Sequence, residues 1–528
     1  MNEKEILEKV KKLSDIIELK KIIESLRVLC ANKKNKQVLQ IVEEAINASN
    51  LFDDKESLVN LYELKIKQMI NKITNFSKVE LILNKMKEIS ETVKYRNGLA
   101  LVYQIQSHIE FVNGNLRKSN ETIKKAIDLL SVEDERDSYT YNICTYSFAV
   151  GKWLSEHNSD ISTIIEENLD YFYKKGLYRS FAQAIAILNI IYMRMQNSKK
   201  ILENSKKIFS NKTLFEELPL DVKGISYFFS GVGCMLDLNL NFAESYFKDA
   251  YNILKPIHKE SIYFSNFIIL HSFLCTVTAL QGKLEKSLQL IEEAENLLKQ
   301  EFFEKNLDLG TKKQIYHTLN LNKFYVYSRL KKFDSEEMQD LIEKIFMGSK
   351  TLYSDFLLLS EFMLNANLVS RKIEELLSID NFSLNRVKHI ILFTLQKENT
   401  KEESSNWRYL QRIEILNKRK RTTKTTFIEN VFADLLIAQQ LFSLKRYEEI
   451  YPLLRKYEKK LQKIEVLELR IFMEAFIQVG AYKSGDPLGP ALQYIVIKKC
   501  RHYGFGSLES ILLNYLDMQY KDIQSFIR

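Results

Sequence analysis

The chain has 528 residues, 45% hydrophobic and 27% charged, with a formal charge of +9 from 77 Lys and Arg against 68 Asp and Glu. That length means several domains or one extended repeat, and the apolar content excludes a chain too polar to build a core. The small basic excess, spread as mixed-sign faces, excludes a dedicated polyanion clamp, while only 15 Gly and 5 Pro exclude a turn-rich β protein and predict helix after helix.

Taken in chain order, the N-terminal run MNEKEILEKVKKLSDIIELKK is charged throughout and offers no signal-peptide core, which predicts a cytoplasmic protein. The stretch ANKKNKQVLQIVEEAINAS sets Val38, Val42 and Ala45 at helical spacing. GNLRKSNETIKKAIDLL, from Gly114, reads as a glycine turn followed by a helix. GVGCMLDLNLNFAESYFKDAYNILKP places Ala243, Phe247 and Ala250 at the same spacing as before. Its Gly231 and Gly233 form a lone GxG inside a helical pattern, which close helix packing explains better than a nucleotide turn. From Ser261 to Gly282 no Asp, Glu, Lys or Arg occurs, a length that could cross a membrane. Ser265, Asn266, His271, Ser272, Thr276 and Thr278 interrupt it, so it is read as a helix buried between neighbours.

GKLEKSLQLIEEAENLL, from Gly282, then repeats the segment from Gly114 at eight of 17 positions: both glycines, Leu116/Leu284, Lys118/Lys286, Ser119/Ser287, Ile123/Ile291, Ala126/Ala294 and the closing Leu pairs. Small and apolar matches at these spacings share one helix side and let another helix approach. Arg329 to Phe346 and Ser443 to Leu461 are looser copies that keep a basic-aromatic turn. The pattern predicts a helical-repeat solenoid over 1–395 and a polar, basic connection over 396–426. Further helical hairpins follow over 427–475, and a C-terminal helical cap over 476–528 comes after the Gly/Pro loop GAYKSGDPLGP.

The sequence shows no local trace of catalysis. It has no GxxxxGK[ST], HExxH, GxSxG or EF-hand loop, its seven histidines are dispersed, and its five cysteines are odd in number without CxxC. The expectation is therefore a non-enzymatic protein with no cofactor, no metal site and free buried thiols. Lys418, Arg419, Lys420 and Arg421 are four successive cations. They read as a solvated loop, with contact to nucleic acid or a membrane surface as the alternative. The heavy use of Lys, Asn and Ile suggests an AT-rich, bacterial genome.

These residues resemble the tetratricopeptide-repeat (TPR) family, in which a first helix, a tight glycine turn and a second helix with small residues form each unit. The resemblance implies an all-α fold, an α-solenoid of stacked antiparallel helical hairpins in a TPR-like superhelix; a HEAT-like stack is the alternative. The 44-residue spacing from Ala243 to Ser287 exceeds the usual unit and implies longer helices. First helices would line a concave groove. Carrying the family's inward positions across by their offset from the turn gives Gln104, His108 and Phe111, then Phe228 and Val232, then Ser272 and Thr276 as candidate groove residues. Their mostly apolar character predicts a hydrophobic ligand segment, although burial against the next repeat would also explain Phe228 and Val232. The function implied is a protein-protein interaction scaffold or adaptor that binds a peptide segment or partner helix. The alternative is an intracellular regulator whose repeat domain closes around a signalling peptide.

Overall fold

The computed structural model describes residues 3–329 apart from 33–35, 71–75, 131–137, 157–160, 196 and 260–263. It also describes residues 340, 341 and 344, and 427–513 apart from 445, 486–488, 506–507 and 510–511. The described residues are helical, with no strand among them. The chain forms two compact units, Met1–Gly233 and Cys234–Arg528.

In the N-terminal unit, α1 (Glu3–Lys11), α2 (Ile16–Asn32) and α3 (Lys36–Ser49) pack around Ile6, Leu19, Leu26, Ile41 and Val42. Hairpins follow: α4 (Lys55–Met69) with α5 (Phe76–Thr92), α6 (Arg96–Val112) with α7 (Leu116–Leu129), α8 (Tyr139–Glu156) with α9 (Ser162–Lys174), and α10 (Tyr178–Arg194) with α11 (Ser198–Phe209). The short α12 (Lys212–Glu217) leads into α13 (Leu220–Leu236), within which the boundary between the units falls. The first helices α2, α4, α6 and α8 also pack on one another in succession, as in a stack of repeat hairpins. The stack then meets itself. Helix α2 packs against α10, and the Asn32 amide brackets the turn before α10, donating to the Gly176 carbonyl (2.9 Å) and accepting from the Arg179 amide (3.1 Å).

The C-terminal unit continues with α14 (Leu240–Leu254), α15 (Phe264–Leu280), α16 (Leu284–Leu298), α17 (Glu301–Asn306) and α18 (Leu309–Arg329). Helix α15 packs against α14, α16 and α18. Contact on several sides is why it carries no charge, and among the described residues no helix is long and apolar enough to cross a membrane. Helices α13 and α15 have 17 residues and α14 and α16 have 15, which accounts for much of the long repeat spacing. Beyond the undescribed stretch come α19 (Phe427–Ser443), α20 (Ile450–Leu454), α21 (Leu467–Lys483) and α22 (Gly489–His502). The looser copy at 443–461 lacks a regular second helix: 3-10 turns at Tyr447–Glu449 and Arg455–Lys463 flank the five-residue α20. The expected loop from Gly480 starts later, because α21 runs through Lys483. A Cβ on Gly480 would come within 2.9 Å of the Tyr451 backbone nitrogen, so that glycine serves close helix approach.

The repeated sentence has a physical explanation. The Ser119 hydroxyl donates to the Ser107 carbonyl (2.8 Å) and the Ser287 hydroxyl to the Cys275 carbonyl (3.0 Å), each reaching twelve residues back onto the first helix. Ile123, Ala126, Ile291 and Ala294 are buried beside them, as are Ala243, Phe247 and Ala250 on α14 and Val38, Val42 and Ala45 on α3. Gly114 and Gly282 take left-handed φ angles of +79° and +81°. There the amide after each glycine bonds the carbonyl five residues before it, Asn115 to Glu110 and Lys283 to Thr278, both at 2.9 Å. Lys94 and Leu238 close helices by the same bonds without a glycine, at φ of +55° and +58°.

An L residue held left-handed costs about 1–2 kcal/mol, partly offset by the greater freedom glycine has when unfolded. Lys94 is exposed, so Lys94→Gly should stabilise the N-terminal unit by about 0.5–1 kcal/mol and Gly114→Ala should destabilise it by about 1 kcal/mol, read as opposite midpoint shifts in urea unfolding. Shifts in the same direction would contradict this reading of the turns.

Candidate partner-binding cavity in the N-terminal unit

Helix α2 carries Lys20, Glu24 and Arg27, and α4 carries Glu56, Asn60, Glu63 and Lys67, at spacings of three and four residues that hold each set on one face. These polar faces lie on first helices. Lys20, Glu24, Arg27, Glu56 and Asn60, with Tyr95 and Asn97 at the start of α6 and Ser138, Tyr139 and Thr140 at the start of α8, line an open cavity of about 480 Å³, to which Ile17 and Ile23 add apolar surface; Glu63 and Lys67 join this wall through Tyr139. That size suits a small ligand or a few residues of a peptide.

The wall is a connected network. Arg27 pairs with Glu24 and donates to Asn60 Oδ1 at 2.8 Å; Asn60 Nδ2 in turn donates to the Tyr95 hydroxyl at 3.2 Å and to the Glu56 carbonyl at 3.0 Å. The Arg27 guanidinium lies 4.6 Å from the centre of the Tyr139 ring, and Lys67 Nζ lies 4.8 Å from it. Lys67 also donates to the Tyr139 hydroxyl at 2.5 Å, which donates to Glu63 at 3.1 Å, and Lys67 and Glu63 form an ion pair. Three buried atoms in this neighbourhood make no hydrogen bond: Arg27 Nε, Glu63 Oε2 and Asn97 Oδ1.

Glu63 is fully buried, and its charge sets the protonation of its neighbours. Burial works against the charge on Lys67, but the attraction and hydrogen bond of Glu63 outweigh it and hold the ammonium above its usual range. Burial, reinforced by Glu63, pushes the Tyr139 phenol upward and keeps it un-ionised. For Arg27 burial again opposes the charge, and Glu24 followed by Glu63 overcomes it, so its affinity for the proton is raised.

The residues chosen from sequence sit elsewhere. Gln104, His108 and Phe111 follow Asn97 on α6 by 7, 11 and 14 positions and so share its face, but none lines the cavity. Gln104 Nε2 donates to the Ser147 hydroxyl of α8 at 3.1 Å, His108 is exposed, and Phe111 is 42% exposed. Phe228 and Val232 on α13 are buried in the protein and present almost no surface to a partner. Ser272 and Thr276 on α15 bond back to the carbonyls of Ile269 and Ser272, and Asn322 of α18 donates to Thr276 at 3.0 Å. The Thr276 hydroxyl thus ties α15 to α18 within the C-terminal unit, while that of Ser272 stays on its own helix. Lys418, Arg419, Lys420 and Arg421 lie outside the described residues. The cavity wall is polar where an apolar groove was expected. Of the residues that line it, Glu56 and Asn60 belong to the polar spacing 56, 60, 63, 67 on α4 that is visible in the sequence.

No known protein-family profile matches the chain, and no curated protein matches it. Solved structures similar to it include NprR in complex with its cognate peptide NprX, 14% identical, covering 67% of this chain and 94% of that one at a TM-score of 0.39. Another is a Rap protein complexed with competence and sporulation factor, 15% identical, covering 76% of this chain and 100% of that one at a TM-score of 0.41. Among the described residues no group of three or more His, Cys, Asp or Glu stands close enough to hold a metal ion.

Removing the Glu63 charge leaves Lys67 partly buried without its counter-ion. Glu63→Gln should lower the stability of the N-terminal unit by about 2 kcal/mol in urea unfolding, and Glu63→Gln/Lys67→Met should recover most of that loss. Equal loss in the single and double variants would show that the pair does not organise the cavity wall.

Proposed function

We propose that this chain is a non-enzymatic interaction protein whose first helices hold an extended segment of a protein or peptide partner, centred on the cavity of the N-terminal unit. The observation that carries the reading is that side chains of α2, α4, α6 and α8 converge on one open cavity with hydrogen-bonding capacity still unspent. An extended segment brings an unpaired N–H and C=O at nearly every residue and gains most where fixed donors and acceptors meet it. Tyr95 accepts from Asn60, which leaves its own O–H to donate, and Asn97 Oδ1 is a buried acceptor without a partner. The two stand two residues apart at the cavity edge.

A peptide-responsive regulator is the second reading, and the Asn32 bracket favours it. A ligand touching α2, α4, α6 and α8 together bears on the same stack that Asn32 closes between α2 and the turn before α10. A ligand that fits only one setting of that closure would shift its equilibrium. A cytoplasmic location belongs to this reading too, since Cys30, Cys144, Cys234, Cys275 and Cys500 are all buried thiols that form no disulfide.

The test is to isolate the intact chain from its own cells at physiological salt and identify by mass spectrometry what stays bound. We expect a protein or peptide in near-stoichiometric amount, at least about tenfold depleted from a Tyr95→Phe/Asn97→Ala variant and retained by Gln104→Ala/His108→Ala. Undiminished capture by the cavity variant would overturn the site, and nucleic acid or lipid released by salt would direct attention to Lys418–Arg421.

A further inference from the structure

We infer that the 3-10 helix Arg455–Lys463 of the C-terminal unit is a docking ridge for the phosphate backbone of a nucleic-acid duplex, read without regard to base sequence. The ridge lies outside the cavity and stands or falls independently of partner binding there. Arg455, Lys456, Lys459, Lys460 and Lys463 put five cations into nine residues against Glu458 alone. In a chain whose 77 basic and 68 acidic residues nearly balance, this is a local exception to the mixed-sign faces.

Most of these cations are unspent. Several exposed lysines elsewhere pair one turn along their own helix, as Lys87 does with Glu91, Lys199 with Glu203, Lys212 with Glu216 and Lys305 with Glu301. On the ridge Lys456 lies 2.6 Å from the Asp434 carboxylate, but among the described residues none pairs with Arg455, Lys459, Lys460 or Lys463. Of the carboxylates nearby in the chain, Glu449 holds Arg446 and Glu465 accepts from the Asn241 amide of α14 at 2.7 Å, which leaves Glu448 and Glu458. The ridge is also pinned. Asp434 of α19 is fully buried and accepts from the Tyr457 hydroxyl at 2.6 Å, while Leu454 and Ile464 are buried at either end. A backbone fixed in this way loses little freedom on contact. At about 2 Å per residue it extends about 16–18 Å, a length along which one strand of a duplex places about five phosphates.

The surroundings decide which polyanion fits. Among the described residues of 444–465 no large apolar side chain is exposed, because Leu454, Tyr457 and Ile464 all face inward. A protein partner seeks an apolar centre to its interface, a segment lying on a membrane inserts an apolar face, and a single strand stacks its bases on exposed aromatic rings. The ridge offers charge alone. That suffices for a duplex backbone, whose regular phosphates release counterions to any row of cations that reaches them.

The probe is a duplex of about 20 base pairs and arbitrary sequence, as DNA and as RNA, titrated with the intact chain by fluorescence anisotropy from about 50 to about 200 mM salt. We expect a dissociation constant on the order of 10⁻⁵ M at the lower salt, weakening about a hundredfold across the range as three or four phosphate contacts require, and the same for any base sequence. Arg455→Gln/Lys459→Gln/Lys460→Gln/Lys463→Gln should weaken binding at least about tenfold and flatten the salt dependence. Lys87→Gln/Lys199→Gln/Lys212→Gln/Lys305→Gln removes the same charge elsewhere and should leave both nearly unchanged. All eight side chains are exposed, so neither variant disturbs packing. Equal loss in the two variants, or loss only when Lys418, Arg419, Lys420 and Arg421 are replaced by Gln, would overturn the ridge. So would no duplex binding at all, or tighter binding to phosphatidylserine-containing vesicles or to polyglutamate at the same salt. The cavity variant Tyr95→Phe/Asn97→Ala should bind duplex as the parent chain does, which keeps the two sites separable.

Discussion

Where two helices lie closely antiparallel across a tight turn, the chain must reverse within two or three residues while the carbonyls at the end of the first helix still find donors. Here a single left-handed residue does both. At Gly114 and Gly282 it turns the chain while the next amide reaches back five residues, and a small residue on the second helix then closes the gap. Ser119 and Ser287 occupy that place and satisfy a carbonyl of the first helix while keeping the two backbones near. The spacing between the two helices of each of these hairpins follows from these contacts.

The cavity depends on how closely the first helices stack. Stacking α2, α4, α6 and α8 closely takes the polar faces of α2 and α4 partly out of water, and a carboxylate as enclosed as Glu63 persists only if cations and donors surround it. Lys67 and Tyr139 fill that role, and Tyr139 in turn supports Arg27. The network therefore fixes the side chains that a ligand would meet before any ligand arrives, which lowers the ordering cost of binding.

Much of the fold was legible because geometry restricts the residues that can build it. A second helix crossing closely demands Ser or Ala at set positions, so Ser119, Ala126, Ser287 and Ala294 stood out, and all four are buried. The turns at Lys94 and Leu238 left no such mark, since a left-handed residue need not be glycine when the surrounding hydrogen bonds hold it. Gly480 misled in the opposite sense: it looked like a loop residue and instead lets α21 pass close to Tyr451. The cavity was hidden by a different ambiguity. Glu56, Asn60, Glu63 and Lys67 have the spacing of any solvated helix face, and nothing in one helix tells that α8 will bring Tyr139 over them. Conversely, Phe228 and Val232 fit an apolar groove or a core equally well by spacing, and burial separates the two.

The central claim is that the polar inner face of the N-terminal first helices is where a partner segment binds. Backbone hydrogen exchange on the intact chain, alone and with its captured partner, tests this most directly. The account predicts slowed exchange at residues 20–27, 56–60, 95–97 and 138–140, with the tightest effect where Tyr95 and Asn97 meet the ligand. Protection confined to residues 234–528, with those four segments unchanged, would contradict it.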